Sequence, residues 1–248
     1  MLKLALIGYG KMGKMVEKLA LEKGFEIVSI IDPNVSGAQS QITKEALKGA
    51  DIAIDFSHPS AILANLEKLI ELKQRAVIGT TGWHDSLDDI IARAESAGMG
   101  LVYGSNFSLG MNLFLKIAEE ATLIFDNFEE YDLLAWEFHH NQKADSPSGS
   151  AIELANRILK KSSRKQKVVW DKLDRRPEKD ELHFASIRGG KIPGTHALSF
   201  DSEEDSITIT HDVRSRATFA RGALMAAEFI HQKAGVFSFS EIIGELLC

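Results

Sequence analysis

Short apolar runs alternate with longer amphipathic stretches through the first hundred residues. Residues 2–7 (LKLALI), 26–31 (EIVSII), 51–56 (DIAIDF), 76–78 and 100–103 are brief, apolar and bounded by turn residues, which predicts strands. Between them Met15, Val16, Leu19 and Ala20 fall at helical spacing, and residues 60–72 and 87–97 predict two further helices. Strands that alternate with helices predict an α/β fold with a Rossmann-type doubly wound parallel sheet. The rhythm changes after Asn106. A helix over 111–125, a strand over 131–138 and a helix over 152–159 are followed by a polar, basic-rich stretch at 162–179 that reads as a solvated loop. Three strand-like runs (183–187, 196–200 and 206–211) then succeed one another without helices, which predicts a second, α+β domain with a mixed or antiparallel sheet. Residues 217–232 and 239–247 predict two closing helices, expected to return to the first domain.

The turn after the first strand carries the first chemistry. Gly8-Tyr9-Gly10-Lys11-Met12-Gly13 lies between strand and helix, the context a GxGxxG motif needs. The first glycine permits the tight turn, the second lets a pyrophosphate approach the backbone, and the third lets helix and strand pack closely. Asp32 ends the second strand 19 residues past Gly13, near the spacing at which an acid accepts hydrogen bonds from a ribose. Its charge would also repel the extra phosphate of NADP, so NADH is expected to serve at least as well as NADPH. Small polar residues gather at the ends of the later strands, at Ser57, Thr80 and Asn106, where open parallel sheets bind ligands.

The stretch EFHHNQKADSPSGSA, from Glu137 to Ala151, carries the second. His139, His140 and Lys143 stand where an apolar strand stops, ahead of turn residues and a helix with Ser150 and Glu153 at capping-box spacing. A helix N-terminus with a lysine beside it favours a carboxylate or phosphate, and histidine could move a proton there. Downstream, Arg188, Lys191, His196 and His211 could also reach an anionic substrate. The segment 188–194 (RGGKIPG) reads as a loop with freedom to move.

Composition narrows the classes. A net charge of −6 without a basic tract excludes a general nucleic-acid binder. The single cysteine, Cys248, offers no disulfide and no zinc cluster. The N-terminal apolar run is too short for a signal peptide and no stretch reaches the length of a membrane span, so a cytoplasmic protein is expected.

Taken together, these residues resemble the dihydrodipicolinate reductase (4-hydroxy-tetrahydrodipicolinate reductase) family over nearly the whole chain. The resemblance rests on GYGKMG, GTTGW at Gly79, SNFSLGMN at Ser105, EFHHNQKADSPSGSA, RGGKIPGTH at Arg188 and ITHDVRSRATFARGA at Ile209, of which the HHxxKxDxPSG core is the most specific. It implies an oxidoreductase of diaminopimelate and lysine biosynthesis that uses NADH and/or NADPH on a small dicarboxylate. A dinucleotide-binding domain would comprise 1–106 and 216–248, with 107–215 binding substrate and assembling a homotetramer. His139 would act as proton donor together with Lys143. Substrate would meet His140, Gly149 and Ser150. Cofactor contacts would fall on Gly8, Tyr9, Gly10, Lys11, Met12, Gly13, Asp32, Gly79, Thr80, Thr81, Ser105, Asn106 and Phe107. The chain departs from the family pattern in three places: Ser150 replaces a threonine, Asn141-Gln142 stand where basic residues are frequent, and the span between Asp32 and Asp51 is short.

Three rival classes fit the residues less well. Another two-domain dehydrogenase would not need HHxxK and PSG together. A non-enzymatic NAD-sensing regulator would leave the proton donors surplus. A metal hydrolase is disfavoured because adjacent strand histidines point to opposite faces, so no metal site is expected.

Overall fold

The structure, a computed structural model, describes residues 1–247, with side chains through Glu245. In chain order the elements are β1 (Lys3–Ile7), α1 (Lys11–Glu22), β2 (Glu26–Ile31), β3 (Ile52–Asp55), α2 (Ile62–Glu71), β4 (Ala76–Ile78), a 3-10 turn at His84–Ser86, α3 (Leu87–Ser96), β5 (Leu101–Tyr103), α4 (Leu109–Phe125), β6 (Asp132–His139), α5 (Gly149–Lys161), β7 (Lys167–Trp170), β8 (Glu181–Arg188), β9 (Thr195–Asp201), β10 (Ser206–Asp212), α6 (Ala217–Gln232), β11 (Val236–Ser238) and α7 (Phe239–Leu247). They form two compact units, Met1–Leu109 with the stretch from Arg216 onward, and Gly110–Ser215.

The first unit is built on a six-stranded sheet in the order β11-β5-β4-β3-β1-β2, parallel throughout. All four residues of β3 and all three of β4 are buried, as expected of strands covered on both faces. The helices bury single stripes; α2 hides Ile62, Leu66, Leu69 and Ile70. Helix α6 lies close enough to the loop before α4 that a Cβ on Gly222 would stand 1.8 Å from the Phe107 carbonyl oxygen. Only glycine permits that approach.

The second unit holds a five-stranded sheet in the order β10-β9-β6-β8-β7. It is mixed: β6–β8 and β7–β8 pair in parallel, β6–β9 and β9–β10 antiparallel. Side chains alternate across β6, and the odd-numbered Leu133, Ala135, Glu137 and His139 are all buried. Leu133 and Ala135 join Phe184, Leu198 and Phe200 in a core with Leu115 of α4 and Leu154 of α5. The even-numbered Leu134 on β6, and Ile187 on β8, are exposed.

Three elements depart from the sequence expectation. The stretch 162–179 contains a strand, β7, paired with β8 and anchored by Trp170 against Phe184 with ring centroids 4.9 Å apart. A β-rich quartet, KVVW, was masked there by its charged flanks. The three-residue β11 extends the first sheet beside β5, too short to give a periodic signal. Helix α5 starts three residues before the expected Ile152, and its N-cap is Ser148, not Ser150: the Ser148 hydroxyl accepts from Ala151 N–H at 3.1 Å. Glu153 bonds Arg157 instead of reaching back to a cap.

Candidate active site

In the first unit the three glycines of the turn meet different surroundings. Gly8 has φ +80°, and a Cβ there would lie 2.4 Å from the Phe56 carbonyl oxygen. A Cβ on Gly13 would lie 2.3 Å from the Gly8 carbonyl oxygen, whereas one on Gly10 would meet nothing within 4 Å. The first and third glycines are therefore packing sites, and the second leaves open the surface a pyrophosphate would approach at the start of α1. Asp32 holds this turn. Its Oδ2 accepts from Tyr9 N–H at 2.8 Å and its Oδ1 from Asn34 N–H at 2.9 Å. Those backbone bonds, Tyr9's foremost, hold the Asp32 carboxyl below the usual carboxylate range.

A cavity of about 730 Å³ brings Gly8, Gly10 and Asp32 together with Asn34, Asn65 and Lys68. A second, of about 380 Å³, brings Gly10, Lys11 and Met12 together with Gly79, Thr80 and Thr81. Cavities of this size, with an acid and open backbone, suit a dinucleotide. Ser105, Asn106 and Phe107 line neither of them. The Phe107 ring is core, 2% exposed and 4.7 Å from the Phe239 ring, which leaves only its backbone for a nucleotide. Thr80 is buried too, and its hydroxyl donates to Asp55 Oδ1 at 2.6 Å. Asp55 also accepts from Ser57 N–H and hydroxyl and from Asn65, fastening the ends of β3 and β4 together.

In the second unit a buried polar cluster gathers at the carboxyl end of β6. Glu137 and His139 share a face because they are two residues apart on a strand. Across the sheet Glu137 pairs with His196 on β9, and His139 with Arg188 on β8, so four polar side chains converge. Glu137, with no exposed surface, is the hub. Its Oε1 accepts from Ser148 N–H at 2.8 Å and from Arg188 Nη2 at 2.9 Å, and its Oε2 accepts from the Ser148 hydroxyl. His139 Nδ1 lies 3.2 Å and His196 Nε2 3.4 Å from Oε2. The His139 contact is within ion-pair range, but its alignment falls short of a hydrogen bond. Burial pushes the Glu137 carboxyl up; the His139, His196 and Ser148 contacts outweigh it and hold the group far below the carboxylate range. Glu137 is therefore an anion at neutral pH.

The other expected residues take distinct positions. His140 is half-buried, one residue past the end of β6. Lys143 pairs with Asp145 at 2.8 Å, and Gly149 and Ser150 are the first two residues of α5. Arg188 bonds the Asp145 carbonyl at 2.7 Å as well as Glu137, and so fastens the loop before α5 to the sheet. The glycine-rich segment is tied down likewise: Gly189 N–H donates to the His139 carbonyl, Asn141 N–H to that of Gly190, and Val213 N–H to that of Gly194. His211 stacks on Phe114 at 6.0 Å, and burial, with His196 beside it, pushes it below the ordinary imidazole value. Lys191 is exposed.

Glu137 was not singled out in the sequence, and His196 and Arg188 stood there only as residues with reach to an anion. The ligand atoms of Glu137, His139 and His196 lie within 4.8 Å of one another, a spacing that could also hold a metal ion. Glu137 is already compensated by the Arg188 guanidinium and by both Ser148 donors, which a dication would have to displace.

Two family models match the chain: "Dihydrodipicolinate reductase, N-terminus" over residues 2–107 and "Dihydrodipicolinate reductase, C-terminus" over 110–243. The chain belongs to the dihydrodipicolinate reductase family. The 4-hydroxy-tetrahydrodipicolinate reductase of Christiangramia forsetii is 34% identical over 243 residues, covering 98% of each chain. That of Staphylococcus haemolyticus is 36% identical over 249 residues, covering 97% of this chain and all of the relative. The fold matches the dipicolinate-bound dihydrodipicolinate reductase of Paenisporosarcina sp. TG-14 with a TM-score of 0.79 at 23% identity, over 98% of this chain and 99% of that one.

Proposed function

We propose that the protein reduces 4-hydroxy-tetrahydrodipicolinate to tetrahydrodipicolinate with NADH or NADPH, in diaminopimelate and lysine biosynthesis. The observation that carries this reading is His139, a buried imidazole at the end of the strand that precedes α5 in the chain, with only a nine-residue loop between them. In the balanced reaction, substrate, reduced nucleotide and one proton give tetrahydrodipicolinate, oxidised nucleotide and water. The nicotinamide, when bound, supplies the hydride. The first unit holds the nucleotide on the Gly8–Gly13 turn with Asp32 at the ribose. In the second, Lys143 exchanges Asp145 for a substrate carboxylate, which also meets the start of α5 at Gly149 and Ser150. His140 contacts the same substrate, and His139 delivers the proton to the carbon beside the one that accepts hydride.

Oxidation of NADH on adding the enzymatically generated heterocycle, with a metal chelator present, tests the activity. His139→Gln should lower kcat about 10²–10⁴-fold and leave the Kd for NADH unchanged; full turnover would reject the assignment. Lys143→Ala should lower kcat and raise KM for the substrate. The protein works as a cytoplasmic homotetramer assembled through the sheet of the second unit, a reading supported by the exposed Leu134 of β6 and Ile187 of β8, which the β6–β8 register puts on the same face. No described helix is long and apolar enough to cross a membrane. A monomer by light scattering at assay concentration would reject the assembly.

A further inference from the structure

Catalytic imidazoles need one nitrogen held so that the other is aimed. Around His139 the two nitrogens face different surroundings. Nδ1 looks toward the buried Glu137 carboxylate at 3.2 Å. Nε2 looks toward Gly194, where a Cβ would stand only 3.0 Å away, so the glycine leaves this nitrogen room that any side chain would take. The carboxylate is fixed from every side: Ser148 N–H and Arg188 on Oε1, the Ser148 hydroxyl and His196 Nε2 on Oε2. His196 itself is 3% exposed, its ring centroid 5.2 Å from that of His139 at 77°. A charge this well held, with a slightly misaligned imidazole beside it, is poised to accept the Nδ1–H after a small ring rotation.

We propose that Glu137 is a positioning residue for the reductase reaction, holding His139 through Nδ1 so that Nε2 is the nitrogen that gives up the proton, with His196 steadying the same carboxylate. When His139 passes its Nε2 proton to the substrate carbon, the ring becomes neutral and keeps its Nδ1–H against Glu137. Glu137 stays ionised throughout and Arg188 remains its counter-charge. The inference rests on the reading of His139 as proton donor, and the test separates the two.

The test is a double-mutant cycle on kcat. Glu137→Gln keeps the side chain's shape and an acceptor for Ser148, and should lower kcat about 10–100-fold. The Kd values for NADH and for pyridine-2,6-dicarboxylate should stay within about twofold of the parent's. E137Q/H139Q should turn over within about twofold of H139Q alone, because the carboxylate then has nothing left to orient. If H139Q is slow but the two losses multiply, or if E137Q is fully active, the positioning role is wrong and the proton donor stands. If H139Q turns over normally, the donor assignment fails and takes the positioning role with it. Should E137Q leave Arg188 unpaired and fail to fold, the unaltered protein gives the answer. With ¹⁵N-labelled histidine, the neutral His139 ring should carry its proton on Nδ1, and a proton on Nε2 overturns the proposal.

Discussion

Cofactor choice is expected to turn on Asp32, and Asp32→Asn tests it. The carboxylate is ionised at neutral pH, as any ordinary aspartate is, and the Tyr9 N–H and Asn34 N–H bonds to its two oxygens hold its pKa lower still. The phosphate that distinguishes NADPH would sit near that charge, and two unit charges about 4 Å apart repel by roughly 4 kcal/mol at an effective dielectric of about 20. Asp32 is half-buried beside an open cavity, so ions and water reduce this to about 1–2 kcal/mol, or roughly 5–30-fold in kcat/KM. Lys68 lines the same cavity but is already paired with Glu71 at 2.8 Å, and cannot cancel the repulsion outright. The asparagine keeps an oxygen for Tyr9 N–H and loses the charge, so kcat/KM for NADPH relative to NADH should rise by about that same 5–30-fold. Steady-state kinetics with both nucleotides at fixed ionic strength measures it. Raising the salt should narrow the parent's discrimination and leave the variant's nearly unchanged. A ratio that moves less than about twofold would refute the electrostatic account, as would a parent that prefers NADPH a hundredfold.

Other perturbations probe separate parts of the structure. Gly194→Ala sets a methyl group against His139 Nε2 and should lower kcat about 10-fold while NADH binds as before; unchanged kcat would mean that nitrogen is not the working one. Ser148→Ala removes the α5 cap and the hydroxyl donor to Glu137 while keeping the backbone N–H donor, and should cost about 2–3 kcal/mol in urea unfolding; a loss under about 0.5 kcal/mol would count against the network. Gly222→Ala should destabilise the first unit by about 1–3 kcal/mol, because its Cβ meets the Phe107 backbone. The Arg175 guanidinium, foremost, and Glu178 N–H lower Glu181 to about 2. A depressed carboxylate stabilises the fold above its unfolded value of 4.5, and that contribution is lost as pH falls from there through about 2. Arg175→Gln should therefore move the acid-unfolding midpoint to higher pH, and an unmoved midpoint would show the pair to be idle.

What could be read from the letters divides by distance along the chain. The Gly8–Gly13 turn is local, and the close packing of Gly8 and Gly13 follows from steric demands that the structure repeats, with Asp32 just past the end of the next strand. Helix α6 matched its amphipathic pattern to the residue, because sixteen residues carry enough turns for a clear stripe. The cap moved from Ser150 to Ser148 because the apolar periodicity begins later than the backbone does: Ser148, with φ −70° and ψ 157°, is the last extended residue before the helix. The Glu137–His139 cluster was legible only in half. Glu137 and His139 share parity with Leu133 and Ala135, so an acid and an imidazole at successive buried positions of an apolar strand were a usable signal. Arg188 and His196 lie 51 and 59 residues beyond Glu137, and only the β6–β8 and β6–β9 registers bring them to it. A one-residue slip in either pairing would turn them to the opposite face, and no local pattern in the chain fixes that register. The counter-charge that permits an anion to be buried beside His139 is therefore a product of tertiary pairing, and the cluster depends on sheet order as much as on the HHxxK letters themselves.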